Sequence, residues 1–330
     1  MKFSNLFSNP SFANFVNSSS ANYVAWCFKA GGAAVANDDG NVTSQVSANT
    51  TLGFSIVSFS NTNSTTNTFG HGLGAQPELV IIKPTSITAD WFVYVNFLGK
   101  SKRLRLNTID SQSSWGSNDG WNTATGITSS VLSFAYSGTS YPFIAYCFTS
   151  KPGFSKVGSY VGNTTNLPIV STGFEPAFLM IKITTGTDNW FMVDNKRETS
   201  NPRGDRLFAN SAAAEASEPG AQVNFLNGGF QITGSGGGAG QTNSNGQTYL
   251  YIAFAADPST TTPSLANSFD TITYSGNGGT QSTNSLSNQA GTIGFAPDLT
   301  WIKTRSNVDG SVHLCAGTNQ NWVKEAFSHL

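Results

Sequence analysis

Charged residues are scarce in this chain. Lysine, arginine, aspartate and glutamate make up 11% of its 330 residues, against about 25% in an ordinary soluble domain. The 17 basic and 18 acidic side chains nearly cancel and leave a net charge of −1. Because binding to nucleic acid or to anionic lipid depends on an excess of positive charge, the composition indicates neither kind of partner.

Cysteine is also rare. Cys27, Cys147 and Cys315 are odd in number and far apart, and no Cys-x-x-Cys spacing is present. The sequence therefore predicts neither a zinc site nor redox chemistry. Cys27 and Cys147 occupy the same place in two similar strand-like segments, so we interpret both as small buried apolar residues.

The usual patterns of enzymes and cofactor-binding proteins are missing as well. Only His71, His313 and His329 could serve as a conventional base, and no Gly-x-Ser-x-Gly elbow accompanies them. The glycine-rich stretch 234–240 opens no helix, so a phosphate-binding loop is not expected there. We expect a protein that is not an enzyme and that uses no cofactor and no metal.

Long apolar runs are absent. None approaches the length of a membrane span. The N-terminal stretch 1–5 leads into polar sequence without the apolar core of a signal peptide. We therefore expect synthesis and assembly in a cytoplasm, without insertion into a membrane.

Aromatic residues and small polar residues are abundant. The 24 Phe, 9 Tyr and 7 Trp residues supply a core that a disordered chain would lack. Short segments rich in aromatic and β-branched residues alternate with Gly, Asn, Ser and Pro, which is typical of antiparallel sandwiches. The sequence thus predicts an all-β fold of tandem antiparallel β-sandwich units with short linkers and little helix.

One cassette recurs along the chain, and its copies begin 100 residues apart at Phe54 and Phe154. It contains a proline, a lysine and, in two copies, a tryptophan, at Pro77, Pro176 and Pro297, at Lys83, Lys182 and Lys303, and at Trp91 and Trp190. The intervals predict an N-terminal segment and three units, with boundaries at 1–52, 53–152, 153–262 and 263–330, the last unit being partial.

The two ends of the chain are complementary. Residues 23–28 resemble the last strand of a unit, although no unit precedes them, while the third copy stops soon after Lys303 without a last strand. Our hypothesis is that the N-terminal strand completes the third unit, within one chain or from a neighbouring subunit, because unpaired sheet edges are commonly covered. The alternative is that the chain is a segment of a longer protein.

Residues that recur in every unit are interpreted as scaffold. Each proline fixes the backbone ahead of an apolar strand. Each lysine is expected to end a buried strand by extending its amine into water, although an anionic sugar could also bind there. The aspartates that follow, Asp90, Asp188 and Asp309, are expected to form turns. The charged run at 194–198 is expected to be a solvated turn.

Two tryptophans that do not recur provide the best candidate for ligand binding. Trp115 and Trp121 lie in one polar loop together with Asp119 and Asn122. Exposed indole faces flanked by amides and carboxylates would suit stacking on sugar rings. The alternative is that both indoles fold back as the core of the loop.

The nearby basic stretch 100–105 predicts a loop that runs into a strand with alternate arginines on the solvent face.

The combined pattern resembles a repeat domain of unknown function found in virion structural proteins and tail fibres of tailed bacteriophages, particularly marine ones. The stretches that carry the resemblance are 53–57, 71–74, 146–148, 153–160, 173–182 and 294–303. The resemblance implies a component of the phage particle and brings no catalytic residues to carry over.

The function expected from the resemblance is that of a tail fibre or related appendage in the virion. There the protein would be a homo-oligomer, a trimer by analogy with such fibres, and would act as a spacer and as an adhesin for host surface polysaccharide. Its other partners would be virion proteins. One alternative is a purely structural head-decoration or tail-wall component, and a second is a glycan depolymerase, which would need two carboxylates roughly 5 to 10 Å apart across a cleft.

Overall fold

The computed structural model of the chain describes residues 16–62, 64–136, 140–235, 239–255, 268–278, 293 and 295–306, together with the backbone of two strands at 313–316 and 324–326. The strands pair antiparallel with their neighbours in the sheets. Three short 3-10 helices interrupt them, at Asn96–Leu98, Pro219–Ala221 and Ala239–Gln241. The all-β, antiparallel and sandwich-like fold that the sequence predicts is confirmed.

The strands are short and are numbered in chain order. The first eleven are β1 (Asn22–Phe28), β2 (Val35–Asn37), β3 (Ser44–Asn49), β4 (Phe54–Ser60), β5 (Thr68–Gly70), β6 (Leu79–Pro84), β7 (Phe92–Val95), β8 (Lys102–Arg105), β9 (Ser113–Ser114), β10 (Val131–Ser133) and β11 (Pro142–Phe148). The next nine are β12 (Ser155–Val161), β13 (Ile169–Ser171), β14 (Pro176–Ile183), β15 (Phe191–Asp194), β16 (Asp205–Phe208), β17 (Ala216–Ser217), β18 (Val223–Leu226), β19 (Gly229–Ile232) and β20 (Thr248–Ala255). The last four are β21 (Phe269–Ser275), β22 (Leu299–Thr304), β23 (His313–Ala316) and β24 (Lys324–Ala326).

Three large sheets share one pattern of strand pairing. The first has the order β2-β3-β4-β11-β6-β7-β8-β9, the second β12-β20-β14-β15-β16-β17, and the third β21-β1-β22-β23-β24. In each sheet a central strand, β11, β20 or β1, lies between the strand that starts the unit and the strand that carries the recurring lysine. Two small sheets, β5-β10 and β13-β19-β18, complete the fold.

The N-terminal strand β1 occupies the centre of the third sheet. Trp26 is in register with Thr271 of β21 on one side and with Trp301 of β22 on the other. The strand therefore pairs, inside the same chain, with β21 and with β22, which carries Lys303, as our hypothesis required. The unit boundaries themselves stay a prediction, and the one at 262/263 lies outside the described residues.

The central strands are buried on both faces because both faces are apolar. In β1, Val24, Trp26 and Phe28 point to one side, where they join a large central core. Tyr23 and Cys27 alternate with them and point to the other side, as the pleat of a strand requires. The same alternation holds in β11 and β20, so each large sheet is covered on both faces.

The central core joins the three sheets. The rings of Phe28, Phe148 and Phe254, one from each central strand, contact one another in all three pairings, with centroids 6.1, 5.1 and 6.0 Å apart. Such aromatic pairs add about 0.5–1.5 kcal/mol each beyond the burial of apolar area. The sheets therefore surround one shared core.

Each sheet also has an outer core on its opposite face. Over the first sheet, Phe69 of β5 and Leu132 of β10 pack onto Val80 and its neighbours, forming what we call the first outer core. Strands β13, β18 and β19 cover the second sheet in the same way. On the outer face of the third sheet, Tyr23 stacks on Tyr274 with ring centroids 5.0 Å apart, and Val16 and Ile293 join them in one cluster.

The shared core predicts that the described part of the chain unfolds as one cooperative unit. Replacing Phe28 by alanine should lower the free energy of unfolding by about 3–5 kcal/mol, because it leaves a cavity where three sheets meet. Urea unfolding followed by tryptophan fluorescence and by far-UV circular dichroism should give coincident transitions in wild type and variant.

The control is Phe97→Ala, at a phenylalanine that is 38% exposed in the first 3-10 helix. This change should cost about 1 kcal/mol or less, because a partly exposed ring gives up little burial. Separate transitions for separate sheets in the wild type would contradict the shared core.

Candidate functional site

The two tryptophans that the sequence suggested as sugar-stacking platforms are buried. Trp121 has no exposed surface and Trp115 is 6% exposed. Both belong to the first outer core, where the Phe134 ring lies 4.5 Å from Trp121 and 6.0 Å from Trp115. The prediction of exposed indole faces is wrong because burial on the sheet removes their large apolar area from water. The loop folds back onto the sheet, as the alternative held.

Asp119 and Asn122, the polar residues predicted to bind a ligand together with the two tryptophans, shape the loop. The Oδ1 of Asp119 accepts a hydrogen bond from the Gly120 amide at 3.0 Å, and the Nδ2 of Asn122 donates to the Gly116 carbonyl at 3.0 Å. Gly120 has a φ of 55°, and a Cβ there would lie 2.1 Å from the Trp115 ring, so the turn requires glycine. These side-chain bonds lie within the loop and fix its turn, while two backbone hydrogen bonds between Gly120 and Ala135, at 2.8 and 2.9 Å, tie the turn to the segment that follows β10.

A guanidinium group covers the Trp115 ring. The Cζ of Arg103 lies 4.0 Å from the Trp115 ring centroid and 5.6 Å from that of Phe92. Arg103 belongs to β8, in which Leu104 joins the central core, so the arginine lies on the outer face of the first sheet. This agrees with the alternation predicted for the basic stretch, although Arg103 is half-buried.

The half-buried Tyr136 lies beside this arginine, and the half-buried Tyr141 lies next to Tyr136. The Tyr136 ring is 6.1 Å from the Phe92 ring and 6.1 Å from the Tyr141 ring, which it meets edge to face. The charge of Asp119 acts on both Arg103 and Tyr136. We call Arg103, Trp115, Asp119, Tyr136 and Tyr141 the Arg103 cluster.

Burial shifts the pKa of two members of the Arg103 cluster, Arg103 and Tyr136. It lowers the pKa of Arg103, and the neighbouring Arg105 adds to this effect while Asp119 opposes it. Arginine nevertheless stays protonated in proteins. Burial raises the pKa of Tyr136, and Tyr141 adds to the rise. At neutral pH Arg103 is therefore a cation and Tyr136 is a neutral phenol.

Arg103 differs from Arg105 in its partners. The Nε of Arg105 lies 2.6 Å from a carboxylate oxygen of Asp90. The Nε of Arg103 donates to the Ser113 hydroxyl at 3.2 Å, and no carboxylate among the described residues forms an ion pair with it. Its positive charge is thus held in place by an aromatic ring and a hydroxyl.

Two of the three recurring lysines, Lys182 and Lys303, lie at junctions between sheets. Lys182 of the second sheet has no exposed surface. It donates to the carbonyl of Ile109, in the loop between β8 and β9 of the first sheet, at 2.9 Å, and to that of Asp188 at 2.7 Å. Lys303 of the third sheet is equally buried and donates to the carbonyl of Ser211. The expectation that these amines extend into water is wrong for both, because neighbouring loops cover them.

Burial lowers the pKa of Lys182 and of Lys303 to about 8. The third, Lys83, is half-buried and donates to the carbonyls of Pro84 and Ile87 at 2.9 and 3.2 Å. Its amine is thus bound within its own sheet and the loop that follows.

Further hydrogen bonds join the same neighbours. The Gln112 amide donates to the Thr184 carbonyl at 2.8 Å across the first junction, and the Glu215 amide donates to the Arg305 carbonyl at 2.9 Å across the second. The Trp190 indole donates to the Arg105 carbonyl at 2.8 Å. Trp91 and Trp190 both lie in the central core.

The charged run at 194–198, predicted to be a solvated turn, contains a fully buried ion pair. The Nε of Arg197 lies 2.6 Å from the Oδ2 of Asp194, and neither side chain is exposed. The same carboxylate oxygen accepts the Trp26 indole N–H at 3.1 Å. Because Trp26 belongs to the third sheet and is 168 residues away in sequence, local sequence gave no sign of this burial.

Glu215 extends the buried pair into a network. Its carboxylate lies 2.7 Å from the Nη1 of Arg197 and 2.7 Å from the Nη2 of Arg305. Burial alone would lower the pKa of Arg197, but Asp194 and Glu215 more than compensate and raise it. The network therefore fastens the second sheet to the third.

The remaining sequence candidates occupy structural positions. His71 is fully buried, its Nδ1 accepting from the Leu73 amide and its Nε2 near the Thr128 carbonyl, both at 3.3 Å. Burial lowers its pKa. Cys27 and Cys147 are fully buried, as interpreted from the sequence. Burial raises the pKa of both thiols, that of Cys147 to about 12.

Some sequence candidates fall where the structure is not described. Asp309 and His329 lie outside the described residues, as do the side chains of His313 and Cys315. Within the described ranges, no three His, Cys, Asp or Glu side chains are grouped as metal ligands. No helix in that same part of the chain has the length and hydropathy needed to cross a membrane.

Comparison with known proteins matches the chain to a family model. Residues 5–258 match a family described as "Domain of unknown function (DUF7483)". No curated protein and no solved structure matches the chain.

The buried network predicts that changing one carboxylate to an amide has a large effect on stability. Asp194→Asn keeps the shape of the side chain but removes the charge that pairs with Arg197. It should lower the free energy of unfolding by about 3–5 kcal/mol, because a buried guanidinium loses part of its compensation. Urea unfolding monitored by fluorescence measures the change.

Asp110→Asn is the matched control. Asp110 also pairs with an arginine, Arg105, at 3.2 Å, but its side chain is 51% exposed. Its loss should cost less than about 1 kcal/mol, because solvent screens the pair. Equal costs for the two substitutions would show that the network does not join the sheets.

Proposed function

Because the chain belongs to the DUF7483 family of domains of unknown function, we propose a function from its own residues and its sequence resemblance. The protein is a non-enzymatic structural component of a tailed-bacteriophage particle, in a tail fibre or related appendage. It acts there as a rigid spacer and as a module that attaches to host surface polysaccharide. The resemblance to repeat domains of phage virion proteins supports the location.

The observation that carries the spacer role is the placement of β1 in the third sheet. The strand pairs with segments about 250–280 residues further along the chain (Asn22 with Ser275, Tyr23 with Thr304). Together with the shared core, it ties the beginning of the described chain to its later part. A body closed in this way holds its shape under load better than a row of units joined by linkers, because separating any sheet exposes the central core.

The composition suits a particle that works outside the cell. Few charges and many hydroxyl and amide side chains allow many weak polar contacts, and multiple copies on one particle multiply their effect. The surface that we assign to attachment is the Arg103 cluster, in which a cation without an ion-pair partner among the described residues lies beside Tyr136, with Tyr141 next to it. Attachment through Trp115 and Trp121 themselves is not part of the proposal.

A trimer, expected by analogy with phage fibres, is also a proposal. Within one chain, however, three sheets already surround one core. The fold itself therefore does not require two further copies, and contacts between copies would use outer surfaces.

A purely structural component is the second candidate. The burial of Trp115 and Trp121 favours it, because it removes the aromatic faces on which the adhesin was first argued. The two candidates share the rigid body and differ in whether its outer surface meets a host polysaccharide or another virion protein.

The position of the chain in an intact particle tests the proposal. Gold-labelled antibodies raised against the purified protein should decorate the tail appendages of the phage that encodes it, seen by electron microscopy. Decoration of the head or the tail wall instead would favour the structural alternative. Particles that carry no label, although the antibody binds the purified protein, would overturn both.

A further inference from the structure

We propose that the Arg103 cluster binds an acidic saccharide, with a sugar carboxylate on Arg103 and a sugar ring against Tyr136 and Tyr141. The inference rests on the proposed role in host attachment and names the chemical class of the ligand. It differs from the sequence-based site, because the tryptophan serves as a support for the arginine and the tyrosines form the contact surface.

The first argument is the preorganisation of Arg103. Its guanidinium lies over the Trp115 ring at 4.0 Å, and its Nε is bonded to the Ser113 hydroxyl at 3.2 Å. Stacking and one hydrogen bond fix the plane of the group and leave the terminal nitrogens for a further partner. A planar fork of N–H donors matches the two oxygens of a carboxylate, and little side-chain entropy remains to be lost on binding.

The second argument is that Arg103 forms no ion pair with the described residues, whereas the equivalent arginine of the second sheet does. Arg206 occupies the corresponding place in β16, because Leu207 pairs with Met192 as Leu104 pairs with Val93. Arg206 lies 3.4 Å from the carboxylate of Glu218. In the described part of the chain, Arg103 has no such carboxylate, so an external carboxylate would fill the corresponding role.

The third argument is the aromatic surface beside the cation. The rings of Tyr136 and Tyr141 meet edge to face with centroids 6.1 Å apart, and both residues are partly exposed. Aromatic rings with a polar tip suit sugars, which have apolar C–H faces and hydroxyl edges. Asp119 adds a carboxylate that can accept hydrogen bonds from sugar hydroxyls.

The charge around the cluster favours a singly charged sugar unit over a polyphosphate. The two lysines of the same basic stretch are engaged, Lys100 with the Thr123 carbonyl at 2.8 Å and Lys102 with the Ser114 hydroxyl at 2.9 Å. Asp119 and Asp90 both act on Arg103 and would repel a dense anion. One free cation with acidic neighbours matches one carboxylate per sugar residue, as in a uronic-acid polysaccharide.

The test compares one oligosaccharide in charged and neutral forms. Oligogalacturonate, which carries one carboxylate per sugar, and its methyl ester are titrated into the full chain by isothermal calorimetry. The acid should bind at least tenfold more tightly than the ester. Arg103→Gln should weaken binding of the acid at least tenfold and leave binding of the ester unchanged, and Arg103→Lys should lie between wild type and Arg103→Gln.

Two further variants separate binding from folding. Arg206→Gln removes the equivalent arginine of the second sheet and should leave acid binding within twofold of wild type. Tyr141→Ala removes an aromatic surface without touching Arg103 and should weaken binding of acid and ester alike. Thermal unfolding of every variant establishes that it is folded, and Tyr141→Ala provides an independent reading if Arg103→Gln proves unstable.

The outcomes distinguish this inference from the proposed function. Equal binding of acid and ester, wild-type affinity in Arg103→Gln, or no binding of either oligosaccharide overturns the acidic site. Fluorescently labelled protein is then added to host cells. Attachment that persists in Arg103→Gln keeps the host-attachment function but overturns the site, whereas no attachment of the wild type overturns the function even if oligogalacturonate binds.

Discussion

The two apolar faces of each large sheet are the constraint on which the rest of the structure depends. A sheet of this kind is stable only when both faces are covered, and the chain covers them differently. One face carries local material, such as β5 and β10 over the first sheet. The other faces cover one another, through Phe28, Phe148 and Phe254. Strand β1, the buried lysines and the Arg197 network all lie at or beside the place where the sheets meet. Polar groups there are shielded from water, so they need partners within the protein.

The recurrence of the cassette made much of the fold predictable. Residues that repeat at fixed intervals, such as Pro77 and Pro176, mark where equivalent strands begin, and the similarity of 23–28 to later strands was enough to place β1. Alternation within a strand shows that both faces are apolar. It does not show what covers each face, since that depends on segments far away in sequence. The closing of three sheets around one core therefore could not be derived from spacing alone.

The same limit explains the errors about the site. Trp115 and Trp121 looked exposed because their loop is polar, but the first sheet beneath them supplies an apolar surface. Arg197 looked solvated because its neighbours are charged, yet its partners include Glu215, which lies beyond β16 in the chain. Arg103 had a local sign, a basic strand with alternating arginines close to a tryptophan. That sign could not show that Arg103 lacks a carboxylate while Arg206 has one, because only the fold brings Glu218 to Arg206.

The central claim is that β1 is an integral strand of the third sheet in the closed molecule. Native-state hydrogen exchange by mass spectrometry tests it most directly, through peptides that cover the three central strands β1, β11 and β20. If the sheets share one core, the amides of β1 should exchange as slowly as those of β11 and β20, through the same global opening and with the same dependence on urea. Exchange of β1 at a much lower free energy of opening than the other two would contradict the account, because the strand would then be detachable and the molecule would not be closed.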